Sequence, residues 1–321
     1  MTDQRWGLTI PLPGVPLAQH AEIVRALPDL GYTDVWSAET NGADAFTPLA
    51  LTSAWEPTLR LGTAIVPVFT RGPALIAMSA AALAAAAPGR FILGLGASSP
   101  VIVGNWNGIA FDEPYKRSRD VLRAVTAALA GERVDGEFDS FTITRFKLEQ
   151  APTPPPKVVL AALRPQMLRL AGRESDGAIL NWLAATDVAR CTAAVANPGA
   201  EIIARIFVCP SEDVEFARNL GRMLISTYLT VPAYAAFHDW LGRGEDLRPM
   251  HEAWAAGDRK GAAAAVPEHV VDELVLHGSP QSCREQVQAY VDAGVQTPVL
   301  ALLPTPDGAP DLELLRALGG R

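Results

Sequence analysis

Cysteine and histidine are both scarce in this chain. Its three cysteines, Cys191, Cys209 and Cys283, are spread over 321 residues. They are odd in number and form no CxxC pair or Cys/His cluster, which excludes a disulfide framework and a zinc ribbon. They are expected to be small buried apolar residues. The five histidines, His20, His238, His251, His269 and His277, fall in expected helices or connectors rather than at strand ends. Surface or capping roles are assigned to them, and no metal is expected. No Ser/His pair, close carboxylate pair or HExxH motif is present, so hydrolysis lacks its usual groups. Basic charge is also in deficit, with 27 Lys and Arg against 35 Asp and Glu and a net charge of −8. This argues against nucleic acid as a partner, because phosphate binding needs a basic face. The longest apolar run, residues 74–87, is Ala-rich and too short to cross a bilayer, so no membrane partner is expected. Met1-Thr2-Asp3-Gln4-Arg5 leads into a strand without a signal-peptide pattern, and a cytoplasmic location is expected.

What is present is a strand–helix rhythm in a chain that is 49% hydrophobic and 19% charged, ample for a buried core. Strands are expected at residues 6–12, 33–38, 60–68, 91–96, 158–162, 178–183, 201–209 and 297–303. Helices are expected between them, among them 46–55, 73–87, 115–130 and 187–196, one opening at Pro165, one capped by Ser279-Pro280, and a last one at 312–318. A hairpin is expected at 131–146, after the fourth helix, and a helical excursion at about 212–275, after the seventh strand. Eight alternating strands point to a single (β/α)8 TIM-barrel domain spanning residues 1–321. An open doubly wound sheet is the competing architecture, and the strand count and the lack of a GxGxxG opening favour the barrel.

Barrel enzymes build their sites at the C-terminal strand ends. Here those ends carry Glu39-Thr40-Asn41, Ala64-Ile65, Ala97-Ser98-Ser99, Ala162-Leu163-Arg164 and Asn181-Trp182. Small residues let backbone N–H groups approach a phosphate. With few acid/base groups, the set suits a bound organic cofactor that brings its own reactivity and a small-molecule substrate.

Four ordered segments carry a family resemblance: Gly31-Tyr32-Thr33-Asp34-Val35-Trp36, Arg60-Leu61-Gly62-Thr63-Ala64-Ile65, Gly89-Arg90-Phe91-Ile92-Leu93-Gly94-Leu95-Gly96 and Leu170-Ala171-Gly172-Arg173-Glu174-Ser175-Asp176-Gly177. They resemble the signatures of the luciferase-like monooxygenase superfamily, and more closely its branch that uses the deazaflavin coenzyme F420. The resemblance implies a bulge with a non-prolyl cis peptide at Ala64-Ile65, on which the deazaflavin rests. It implies a phosphate site at Ala97, Ser98 and Ser99 and at Ala162, Leu163 and Arg164, where Arg164 adds charge; relatives often have glycine at the last two positions. Ser98-Ser99 also reads as a plain helix-capping loop. Glu39 stands where relatives commonly have Asp near the ring, and is the candidate catalytic group; a capping or salt-bridging carboxylate is the other reading. Thr40 replaces a His, and Ser99 replaces a Glu, that sugar-phosphate-oxidising relatives use, which argues against that activity. Thr40, Trp106, Tyr115 and Trp182 are candidates to line the substrate pocket. The implied function is hydride transfer between the deazaflavin C5 and a small organic substrate, in a homodimer. The alternatives are an FMN-dependent monooxygenase, whose flavin has the nitrogen needed to activate oxygen, and a non-catalytic flavin-binding barrel.

Overall fold

Short apolar strands pair in parallel around a closed ring. The structure, a computed structural model, describes residues 4–320; Met1 to Asp3 of the N-terminal stretch and Arg321 lie outside the described residues. The barrel strands are β1 (Gly7–Thr9), β2 (Asp34–Ser37), β3 (Arg60–Thr63), β4 (Phe91–Gly96), β5 (Lys157–Ala161), β6 (Gly177–Asn181), β7 (Glu201–Cys209) and β8 (Thr297–Leu302). Each pairs with the next, and β8 closes on β1 with Gly7 opposite Val299. This is the expected (β/α)8 barrel. β1 is shorter than expected, since Pro11 supplies no amide to extend the ladder. The expected third strand divides into β3 and the segment Val66–Pro67, which pairs with the end of β4.

The helices follow from their caps. Pro opens Pro73–Ala86, Pro114–Leu129, Pro165–Glu174 and Pro280–Asp292, where its missing N–H is no loss. Gly31, at φ 90°, ends the first helical segment in the left-handed conformation that glycine adopts freely. The hairpin forms from Val134–Glu137 and Thr142–Phe146. The excursion after β7 comprises five helices, Val214–Tyr228, Pro232–Leu241, Gly244–Ala255, Arg259–Ala264 and Glu268–Leu274, and then a strand Val275–His277 beside β7. His277 therefore lies in a strand, which corrects the placement of all five histidines in helices and connectors. His20 and His238 are buried, not surface groups. His20 Nε2 accepts the Leu12 amide at 2.9 Å, so Nδ1 carries the proton donated to Pro16 O at 3.1 Å. All three cysteines are free and buried, and burial pushes the Cys191 and Cys283 thiols up to about 12. No helix among the described residues is long and apolar enough to cross a membrane.

Side chains alternate in and out along each strand, which stacks the barrel interior in layers. The N-terminal layer is ionic: Arg60 pairs with Asp34, with Glu201 at 2.7 Å and with the Thr297 hydroxyl at 2.9 Å. The middle layer is apolar, formed by Trp36, Ile92, Val159, Ile179, Ile203 and Val299. The Trp36 ring fits because its flanking strands offer Gly7 and Gly62; a Cβ on Gly7 would stand 3.0 Å from Trp36 Cδ1. The C-terminal layer changes character. Thr9, Ala38, Ala64, Ala161, Asn181 and Arg205 follow the inward alternation and are all partly exposed, so they line an open mouth.

Candidate active site

The mouth has a smooth wall on the β3–β5 side. The Ala64-Ile65 peptide is cis, as the sequence resemblance implied. Its neighbours hold it in place: the Ala64 amide bonds Ser37 O at 2.7 Å, and the Glu39 amide bonds Ile65 O at 3.2 Å. Gly96 on β4 keeps the wall low, because a Cβ there would come within 3.0 Å of Ile65 Cγ1 and 3.1 Å of Ala161 Cβ. Ala64, Ile65, Gly96 and Ala161 thus present a shallow apolar surface on which a flat ring can rest.

Beside this wall lie groups suited to an anion. Ser98 takes a left-handed conformation at φ 67°, turning the chain after β4. Ser99 Oγ accepts the Ile102 amide at 3.3 Å, just before the turn Val101–Trp106, and its own O–H stays available as a donor. Across from it, Ala162 and Leu163 lead to Arg164, the N-cap of Pro165–Glu174. No side chain caps that helix start, and no hydrogen bond or ion pair joins the exposed Arg164 guanidinium to another described residue. Two serine hydroxyls, a helix N-terminus and an unpaired guanidinium form a donor set that fits a phosphodiester.

The other expected residues are less uniformly placed. Glu39 is already engaged: Oε1 lies 2.7 Å from Arg71 Nη2 and accepts the Ala45 amide at 3.1 Å. It serves as a salt-bridging carboxylate that ties the loop after β2 to Arg71. Thr40 is exposed just beyond it, Trp106 is 52% exposed, and Tyr115 packs half-buried against the main core. Trp182, expected as an open wall, is enclosed instead. It is 1% exposed, stacks on Phe207 with ring centroids 4.0 Å apart and tilts against Tyr228 at 5.3 Å.

Sequence reasoning missed the polar wall opposite. Arg205 on β7 lies 4.8 Å from the Phe207 ring centroid, and its Nε is buried with no hydrogen-bond partner. Burial lowers its guanidinium from the ordinary arginine value, and Tyr228 and Tyr234 are the neighbours that oppose this. The Asn181 amide donates to Tyr234 Oη at 2.9 Å, while Asn181 Oδ1 and Thr9 Oγ1 are buried without partners. Tyr228 and Tyr234 belong to the excursion after β7, which therefore closes this side of the mouth. The signal was in the sequence: Glu201, Ile203 and Arg205 alternate inward along β7 and bring a cation to its open end.

The luciferase-like monooxygenase family model matches residues 4–297. Among curated proteins, the chain is 29% identical to a Mycobacterium tuberculosis protein provisionally named a coenzyme F420-dependent oxidoreductase, over 87% of this chain and 89% of that one. It is 30% identical to an F420-dependent glucose-6-phosphate dehydrogenase of Rhodococcus erythropolis, over 79% of this chain and 77% of that one. Among solved structures, the coenzyme F420-dependent tetrahydromethanopterin reductase of Methanopyrus kandleri superposes with a TM-score of 0.79 at 19% identity, covering 99% of this chain and 97% of that one, which shows the shared fold. With the barrel, the bulge at Ala64-Ile65 and a family match over almost its whole length, the chain belongs to the luciferase-like monooxygenase family.

Proposed function

We propose that the protein is a coenzyme F420-dependent oxidoreductase that exchanges a hydride with a small organic substrate in the barrel mouth. The observation that carries this reading is the shallow wall of Ala64, Ile65, Gly96 and Ala161 beside the unpaired Arg164. When bound, a deazaflavin supplies a ring carbon that gives or takes a hydride. Ser98, Ser99 and Arg164 hold the cofactor phosphodiester, with Ala97, Ala162 and Leu163 as its backbone cradle. The wall orients the ring and excludes water from one face. Glu39 acts through Arg71, fixing the loop that carries Thr40 next to the ring. Trp106 and Tyr115 border the substrate from the loop after β4. Sugar phosphates are left out of the substrate class, because Thr40 and Ser99 stand where such relatives have their His and Glu.

The same reading takes residues 1–321 as one barrel domain, working as a cytoplasmic homodimer. Three free buried thiols suit a reducing compartment. Leu51, Leu75 and Met78, on the adjacent helices Phe46–Trp55 and Pro73–Ala86, are 36%, 46% and 48% exposed and offer an apolar face for a second copy. Separate titrations with F420 and with FMN, followed by tryptophan fluorescence, test the cofactor assignment. Tight binding of F420 with none of FMN is expected. Tight FMN binding with none of F420 would overturn it and turn the search to oxygen chemistry.

A further inference from the structure

Arg205 is a partly exposed cation whose Nε is shut off from solvent, and the fold leaves it without a counterion. Elsewhere the protein pairs its buried guanidinium groups: Arg60 with Asp34 and Glu201, Arg243 with Asp187 and Glu273. An unpaired charge in an apolar wall is unfavourable, and it persists where a ligand completes it. β7 lies four strands from β3 around the closed ring, so Arg205 faces the Ala64-Ile65 bulge across the mouth.

We propose that Arg205, with Tyr234, Asn181 and Thr9, recognises a carboxylate on the substrate. That this ligand is the substrate rests on the function proposed above, which assigns the bulge side to the cofactor. The donor geometry specifies the class. The Phe207 ring lies 4.8 Å from the guanidinium, and no described carboxylate occupies the guanidinium N–H groups. A planar fork matches a planar carboxylate in a bidentate pair. Tyr234 Oη already accepts from Asn181 Nδ2, so its own O–H is free to donate. The Thr9 hydroxyl adds a second neutral donor, and Asn181 Oδ1 is left to accept an N–H or O–H near the carboxylate. A single positive charge balances a monoanion and leaves a phosphate dianion half compensated.

The test uses the full chain without cofactor, and benzoate, benzamide and inorganic phosphate as probes at matched ionic strength. Calorimetric titration and thermal melting are the readouts. Benzoate is expected to bind saturably and raise Tm, while benzamide and phosphate do neither. Arg205→Met is expected to weaken benzoate by at least about tenfold, as loss of a charge-assisted pair requires, and to melt no lower than the parent. Tyr234→Phe, which removes one hydroxyl, should weaken benzoate about fivefold with the fold intact, and serves where Arg205→Met does not fold. F420 affinity should be the same in Arg205→Met as in the parent. A benzoate response that survives in Arg205→Met overturns the proposal. So does an Arg205-dependent response to phosphate alone, or loss of F420 binding in Arg205→Met, which would give Arg205 to the cofactor. A chain that binds benzoate through Arg205 but never binds F420 would refute the proposed function and leave the carboxylate site standing.

Discussion

Trp36 on β2 fills the centre of the barrel because Gly62, its register partner on β3, has no side chain. A Cβ at position 62 would lie 2.6 Å from Trp36 Cδ2, with other ring atoms nearer still. Interiors packed to crystal density leave the ring nowhere to go. Gly62→Ala is therefore expected to destabilise the protein by about 2–3 kcal/mol, the upper part of the overpacking range. The same substitution placed on Trp36→Phe should cost far less, and urea melts of the two singles and the double would measure the coupling. An unchanged midpoint for Gly62→Ala would show that the centre of the barrel is not filled this way.

Glu39 and Arg71 make a second testable pair. Their side chains are only 14% and 22% exposed, and Glu39 also accepts the Ala45 amide. Glu39→Ala strips acceptors from two donors at once, and a loss of about 2 kcal/mol is expected. Arg71→Ala should cost a similar amount, and the double variant little more than either single. Full stability in Glu39→Ala together with abolished turnover would return Glu39 to a direct chemical role.

The barrel was legible because its signals are local. Alternating apolar runs gave all eight strands, and Pro165, Ser279-Pro280 and Gly31 gave helix ends at the residues observed. The Ala64-Ile65 bulge was legible only through the family resemblance, since nothing in an Ala-Ile pair announces it. The burial of His20 was hidden because its partners, Leu12 N and Pro16 O, are backbone atoms with no side-chain signature. The polar wall was hidden for another reason. Arg205 and Asn181 sit on adjacent strands, but Tyr234 arrives from a helical excursion whose docking on the mouth depends on contacts such as Tyr228 on Trp182. Contacts between distant segments leave no spacing to read.

Arg164 separates cofactor binding from stability. It is exposed and unpaired among the described residues, so Arg164→Ala removes no native contact and should leave the melting temperature unchanged. If it pairs with a phosphodiester, the same change weakens F420 binding by about 1–3 kcal/mol, roughly five- to 150-fold. Raised salt should shrink the difference, since an exposed charge pair is screened. Equal F420 affinity in the variant and the parent would remove Arg164 from the site.

His238 should make the fold sensitive to mild acid. Its imidazole is buried in Pro232–Leu241, and burial first, then the charges of Arg243 and His251, hold it down at about 3 against an ordinary 6.5. Above pH 6.5 both the folded and the unfolded chain carry it neutral, and it contributes no pH dependence. Between 6.5 and about 3 the unfolded chain takes a proton that the folded chain refuses, so stability falls as pH falls, by up to about 1.4 kcal/mol per unit. Urea midpoints at pH 6.5 and 5.5 stay above most carboxylate titration and should differ by about 1 kcal/mol from this residue alone. His238→Gln keeps a neutral polar group of similar size and should remove most of that slope, leaving the part from His251, which burial also lowers. A parent protein equally stable at both pH values would mean that His238 takes up a proton in the folded state, and that the ring is not sealed from water as the structure has it.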